Sequence, residues 1–184
     1  AIHHRDRLLK EFAAYHRRNI EEPWGDFKAY LIPMEGNDIS KVAWLTDLLD
    51  RQGLKYSTAR GSKKQVTALD YTSLNSTLVR PLKGDLVIDA HQPNSALLQV
   101  LFDPDPELSD SLTYDITTWA LPFAYGLKSF GLNKSIDMTD GFITPLNPTK
   151  LDTTSAPYAW IIDYSTDAGT PLLANLLDEG IKVR

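Results

Sequence analysis

FKAYLIPMEGNDISKVAWLTDLLDRQGLKYSTA, residues 27–59, is the stretch on which the fold turns. An apolar run from Phe27 to Ile32 leads into a turn at Glu35-Gly36-Asn37-Asp38. Ile39, Val42, Leu45, Leu48 and Leu49 then recur at helical spacing and write an apolar stripe along one side of an amphipathic helix. Asp38 stands where an N-cap accepts the free N–H groups of the first turn, and Gly53 where a helix closes on a left-handed residue. LKYSTA, 54–59, reads as the strand that follows, so the unit is β-α-β.

The end of the chain repeats the design. AYLIP at 29–33 matches AWIID at 159–163, and DLLDRQGLKY at 47–56 matches NLLDEGIKV at 175–183 with one residue deleted. Thr170 can cap this second helix, Pro171 takes its first position, Leu172, Leu173, Leu176 and Leu177 form the stripe, and Gly180 ends it. One shared unit does not make a solenoid, because a repeat array shows its period at least three times. Strands alternating with helices predict an α/β fold. It would have three layers and a largely parallel sheet of β-α-β units, Rossmann-like or class I amidotransferase-like. Ligands of such sheets sit beyond the strand C-terminal ends. That rule singles out Glu35–Asp38, Asp89–Asn94 and Asp163–Asp167.

Between the two units the pattern is less regular. SKKQVTALDYTSL and STLVRPL read as short strands or loops, GDLVIDA (84–90) as a buried strand, and HQPNSALLQVLF (91–102) as strand, turn and helix. DPDPELSDS is an acidic, turn-rich loop. Ahead of all this, RDRLLKEFAAYHRRNIEE puts Leu8, Leu9, Phe12 and Tyr15 on one helical face, a stripe that needs a partner. Residues 144–157 carry three prolines and four threonines without apolar period, which marks a linker. The expected organisation is an N-terminal helix over 1–24 continuing from an upstream domain, and an α/β domain over 25–143. The linker follows at 144–157, and 158–184 is a further β-α-β unit, truncated or completing the same sheet.

With 184 residues, 42% of them hydrophobic, the chain can bury a real core. A formal charge of -5 and a pI near 5.3 argue against a nucleic-acid partner, whose phosphates call for a basic face. No apolar run approaches the roughly 20 residues of a membrane span. The chain has no cysteine, which excludes disulfides, zinc thiolates and thiol nucleophiles, and with them a glutaminase activity.

His3, His4, His16 and His91 fall in no HxxE or HExxH spacing, so no metal site is assigned. There is no G-x-S-x-G, no G-x-G-x-x-G and no phosphate-binding G-x-x-x-x-G-K-[ST]. Asp103, Asp105, Glu107 and Asp110 fail the calcium-loop pattern, and Pro104 and Pro106 stiffen the backbone that would have to wrap an ion. No catalytic residue is assigned. The candidate ligand-facing loop is DAHQPN, which follows a strand directly and offers Asp89, His91, Gln92 and Asn94. DITTWALPFAYG, 115–126, supplies apolar area and chain direction, and lacks a base with a partner.

GDLVIDAHQPNSALLQVLFDPDPELSDSLTYDITTWALPFAYGL, 84–127, resembles the region that follows the catalytic domain in large zinc carboxypeptidases. There a strand leads into a Gln-Pro turn, a helix ending in Leu-Phe or Leu-Leu, and a Tyr-Asp-x-Thr-x-Trp-x-Leu-Pro string. Tyr114, Asp115, Thr117, Trp119, Leu121, Pro122 and Gly126 carry that signature as packing residues. YHRRN and the two β-α-β segments also resemble the accessory region. The resemblance implies a non-catalytic portion of a metallopeptidase. Zinc would lie in the parent's catalytic domain, with no cofactor in this chain. The partner would be the upstream peptidase domain of the same polypeptide, peptide substrate would be met only through the parent, and the address would be periplasmic or extracellular. The alternative is an independent small-molecule or peptide binding module with its site at the strand C-terminal ends.

Overall fold

In the computed structural model, which describes residues 4–106, 120–142, 158–162, 164 and 169–184, the chain opens with helix α1 (Arg5–Glu21). It then lays down β1 (Ala29–Ile32), α2 (Ile39–Arg51) and β2 (Ser57–Ala59). A hairpin of β3 (Val66–Asp70) and β4 (Asn75–Val79) follows, and β5 (Leu86–Asp89) runs into α3 (Ser95–Phe102). A single-turn helix α4 (Leu121–Ala124) precedes β6 (Phe130–Leu132) and β7 (Met138–Asp140), and α5 (Gly169–Asp178) lies near the end of the chain.

The strands form one sheet in the order β4-β3-β6-β1-β5-β2-β7, and every neighbouring pair is antiparallel. The expected three-layer, largely parallel α/β fold, Rossmann-like or class I amidotransferase-like, is therefore wrong. The fold is an antiparallel, mostly β sheet with few helices.

The error has a physical cause. β1 and β2 do run the same way, because each is antiparallel to β5, which lies between them. The helical crossover from β1 to β2 skips one slot, and a later strand fills it. The sequence of a crossover is the same whether or not a slot is skipped. The short central strands are also buried on both faces, as in a parallel sheet, so they read as continuous apolar runs rather than as alternating ones.

Alternation nevertheless sorts their side chains into two cores. Tyr30, Ile32, Leu86 and Ile88 point to the face covered by Val42, Leu45 and Leu49 of α2 and by Leu98 and Phe102 of α3. Ala29, Leu31 and Val87 point to the other face, against which no helix packs among the described residues. There the sheet covers itself. Ala68 of β3 and Ala59 of β2, from opposite sides of the sheet, join one cluster with Phe130 and Leu132, flanked by Val66, Val79 and Met138. The sheet is curled, and Ser62 N–H donates to the Pro81 carbonyl at 2.9 Å, tying the chain after β2 to the chain after β4.

The caps of α2 are those the sequence predicts. Asp38 Oδ1 accepts from Ser40 N–H at 2.8 Å. Gly53, at φ +66°, donates to Asp50 and Leu54 N–H donates to Leu49, the paired bonds of a Schellman close. In the β3–β4 hairpin, Asp70 Oδ1 accepts from Thr72 N–H and the Asp70 carbonyl from Leu74 N–H. Leu74 is exposed and has a φ of 54°, a conformation in which its Cβ crowds the carbonyl oxygen at a cost of about 1 kcal/mol. Leu74→Asn is expected to raise the unfolding free energy by about 0.5–1 kcal/mol, a rise of roughly 2–4 °C in Tm by calorimetry. An unchanged or lower Tm would mean that the Leu74 side chain has contacts worth more than the strain.

At the C-terminal end, Ala159–Ile162 and Ile181–Arg184 belong to no strand of the sheet, contrary to their reading as strands. α5 begins at Gly169, so Thr170 is inside it rather than capping it. Residues 144–157, read as a linker, lie outside the described residues.

Candidate functional site

The ligand-facing loop begins where β5 ends. Asp89 is the last residue of that strand and pairs with Ala29 of β1. Its Oδ1 accepts from His91 N–H at 2.9 Å, an Asx turn that folds the chain back, and from the His91 ring at Nδ1, 2.7 Å away. A carboxylate only accepts, so the proton is on Nδ1. Ser135 Oγ, from the loop after β6, is 3.3 Å from the same Nδ1.

Aspartate, histidine and serine are thus in contact, but in an order that cannot activate the serine. A relay needs the carboxylate on one ring nitrogen and the hydroxyl on the other. Here both meet Nδ1. The Asp89–His91 pair is also partly exposed, at 30% and 36% of their side-chain surfaces, where an ion pair contributes little.

Gln92 faces the other way. It is 5% exposed, and both ends of its amide are bound to backbone. Oε1 accepts from Lys55 N–H at 2.8 Å, while Nε2 donates to the carbonyls of Asp89 at 2.7 Å and Lys55 at 3.2 Å. β5 and β2 pair through Val87 with Ser57, and their ladder opens beyond that point. The Gln92 amide fills the opening, pairing with Lys55 as another strand would. Asn94, half-buried before α3, donates to the Gln52 carbonyl at 3.4 Å without capping α3.

Of the three segments selected by the strand-end rule, Glu35–Asp38 and Asp89–Asn94 follow strands of opposite direction, so they lie at opposite ends of the sheet. Asp163–Asp167 lies outside the described residues except for Tyr164. Tyr114, Asp115, Thr117 and Trp119 of the signature are also outside them. The other three pack. Pro122 is buried in α4, Leu121 packs against the helix-covered core, and Gly126, at φ +60°, closes α4 by donating to Phe123 while Leu127 donates to Pro122. An open hollow of about 470 Å³ between α2 and α4 is lined by Lys41, Trp44, Phe123, Ala124, Tyr125 and Gly126.

A different surface stands out at α1. Its base is clamped. Asn19 is fully buried, donates to the Pro93 carbonyl at 2.7 Å and accepts from the Trp24 indole at 2.9 Å. Trp24 N–H donates to Ser95 Oγ at 2.9 Å, and His16 Nδ1 is 3.0 Å from the Pro93 carbonyl. From Arg5 to Tyr15, by contrast, every residue is exposed. Leu8, Leu9, Phe12 and Tyr15 border an open hollow of about 620 Å³ with Arg5 and Glu11.

Comparison with family models, with curated proteins and with solved structures gave no match.

Among the described residues no group of three or more His, Asp or Glu side chains is arranged to hold a metal ion. His16 Nδ1 lies 3.0 Å from the Pro93 carbonyl and His91 Nδ1 2.7 Å from Asp89 Oδ1. No described helix is long and apolar enough to cross a membrane. Ser135 and Asn19 were not singled out by sequence. Ser135 meets His91 from 44 positions away, and an asparagine in a charged helix carries no sign of burial.

Proposed function

We propose that this chain is a non-catalytic accessory region of a zinc metallocarboxypeptidase that docks on the catalytic domain of the same polypeptide through α1. The observation that carries the proposal is the contrast within that helix. A base fixed by a buried asparagine holds three turns of helix away from the body with an apolar stripe in water. An isolated helix of that length is marginal, so the stripe supports a partner. The resemblance of 84–127 to the segment after zinc carboxypeptidase catalytic domains supplies the identity of that partner. Zinc and peptide then belong to the parent, periplasmic or extracellular, and reach this chain only through it. The alternative binding module draws less support, because the Gln92 amide is already committed to backbone.

The test is binding in trans between this chain and the parent's catalytic domain, with zinc content and peptidase rate measured for each. The expected result is zinc and turnover in the catalytic domain alone, and complex formation that Leu8→Asp with Phe12→Asp weakens by about 100-fold without lowering the Tm of this chain. Turnover in this chain, or docking indifferent to both substitutions, would overturn the proposal.

A further inference from the structure

Two basic loops that are separate in the sequence meet in the fold. RGSKK, 60–64, follows β2, and RPLKG, 80–84, follows β4. Ser62 N–H donates to the Pro81 carbonyl at 2.9 Å. Gly61, at φ +84°, lies so close to the second loop that a Cβ on it would stand 2.9 Å from the Lys83 backbone nitrogen. Lys63, Lys64, Arg80 and Lys83 are thereby brought together, all exposed, in a chain whose formal charge is -5. Neither 60–66 nor 79–84 contains a carboxylate, and among the described residues none of the four is in an ion pair. Arg60 is turned toward β7, where its Nε donates to the Met138 carbonyl at 2.9 Å, and is not counted with them.

A leucine stands among these cations. Leu82 is 45% exposed, and the loop that carries it is fixed by hydrogen bonds. Leu82 N–H donates to Asp85 Oδ2 at 2.8 Å, Ala59 N–H to the Asp85 carbonyl at 2.8 Å, and Gly84 N–H to the Ala59 carbonyl at 3.2 Å. Asp85 is itself buried, and its other carboxylate oxygen accepts from Met34 N–H at 3.1 Å. Just before this loop, Leu78 is exposed on β4, two residues ahead of Arg80.

We infer that this surface docks on an anionic phospholipid bilayer, with Lys63, Lys64, Arg80 and Lys83 at the headgroup phosphates and Leu82 at the boundary with the acyl chains. Charge complementarity selects an anion, and the leucine selects lipid among anions. A soluble polyanion would engage the cations alone, and a single-stranded nucleic acid would use aromatic stacking platforms, which neither loop contains. The chain as a whole is acidic and is repelled by an anionic surface, so attachment has one orientation and depends steeply on salt. Each cation brought to such a surface is worth about fivefold in partitioning, so four give reversible attachment rather than a permanent anchor. The inference is independent of the partner assigned to α1.

Co-sedimentation of the 184-residue chain with phosphatidylcholine vesicles, with and without about 30% phosphatidylglycerol, tests the inference. Binding is expected to the anionic vesicles alone, and to disappear as salt rises from roughly 0.05 M to 0.5 M. Lys63→Ala with Lys64→Ala should weaken it about 25-fold, and Arg80→Gln with Lys83→Gln on the other loop should do the same. Leu82→Ser should weaken it about fivefold while leaving the salt dependence unchanged. These side chains are exposed, so the Tm should stay where it is, and Leu8→Asp with Phe12→Asp should leave vesicle binding intact. No binding to anionic vesicles would overturn the inference. Binding lost in the Leu8 and Phe12 variant but kept in both charge variants would overturn it too, and would give the membrane contact to α1. Soluble inorganic polyphosphate bound as tightly as the vesicles, with Leu82→Ser without effect on either, would overturn the lipid assignment in favour of a soluble polyanion.

Discussion

Replacing Gln92 by alanine is expected to lower the unfolding free energy by about 2 kcal/mol, and replacing it by glutamate by about 3 kcal/mol or more. The amide holds three backbone groups: the N–H and carbonyl of Lys55 and the carbonyl of Asp89. Alanine leaves all three without that partner in a partly buried seam, where each such loss costs about 1–3 kcal/mol and water recovers a part. Glutamate is nearly the same shape but is worse. It can still accept from Lys55 N–H, yet its second oxygen would face two carbonyl oxygens with nothing to donate. The Gln92→Glu carboxyl is therefore pushed above the ordinary glutamate value, and its penalty is present at neutral pH and relieved as the acid becomes protonated. Urea denaturation of the three proteins at pH 7 and pH 4 checks this. The expected order at pH 7 is Gln, then Ala, then Glu, with the Glu variant recovering relative to Ala at pH 4. If the alanine variant were as stable as the parent sequence, the side chain would not be splicing β2 to β5. It would then be open to the ligand-facing role that its position after a strand suggests.

The same residue shows how far the sequence could be read. DAHQPN was identifiable as a loop leaving a buried strand, because GDLVIDA is apolar and Gln-Pro interrupts it. Asp89 and His91 do meet there. That Gln92 turns inward depends on where β2 lies, 37 positions earlier, and β2 is beside β5 only because β5 enters the slot skipped between β1 and β2. Helix α2 was legible almost to the residue, since Asp38, the leucine stripe and Gly53 are all local signals. Strand direction is not local. Four-residue strands buried on both faces give no alternation to distinguish parallel from antiparallel neighbours, and the cluster that buries Leu31 and Val87, which includes no helix among the described residues, joins strands far apart in sequence. For α1 the apolar stripe was plain in Leu8, Leu9, Phe12 and Tyr15. The anchor that holds it away from the body is one buried asparagine reaching a proline carbonyl 74 positions on, which no periodicity reports.

The second large effect is on alkaline stability, and it comes from two buried tyrosines. Tyr30 is packed on Phe102 with ring centroids 4.7 Å apart, and its hydroxyl is 3.4 Å from Gln99 Oε1. Tyr71 lies against Phe123 and donates its hydroxyl proton to the Phe102 carbonyl. Burial raises both phenols well above the ordinary tyrosine value, with the Asp103 charge adding to the effect at each and Tyr30 adding to it at Tyr71. Tyr56 is also pushed up, to about 12, by burial first and then by its hydrogen bond to Asp50, but its surroundings are more open and it contributes less. The folded state therefore holds these protons more tightly than the unfolded chain. Stability is whole below the unfolded tyrosine value of about 10 and is lost as pH climbs above it toward the folded values. Each buried tyrosine gives a slope of about 1.4 kcal/mol per pH unit in that window, and two give about twice that. A domain with about 5 kcal/mol of stability is then expected to unfold near pH 12, and a more stable one higher. Tyr71→Phe separates the contributions. At pH 7 it costs about 1–2 kcal/mol, because the Phe102 carbonyl loses its donor, and above pH 10 it halves the slope. Tyr30→Phe costs less at pH 7, its hydrogen bond being long, and removes the other half. Denaturation midpoints for both variants from pH 7 to pH 12 measure the two effects together. A slope unchanged by either substitution would mean that both hydroxyls ionise in the folded state as readily as in the unfolded chain, which the packing of Tyr30 and Tyr71 between α3 and the sheet does not allow.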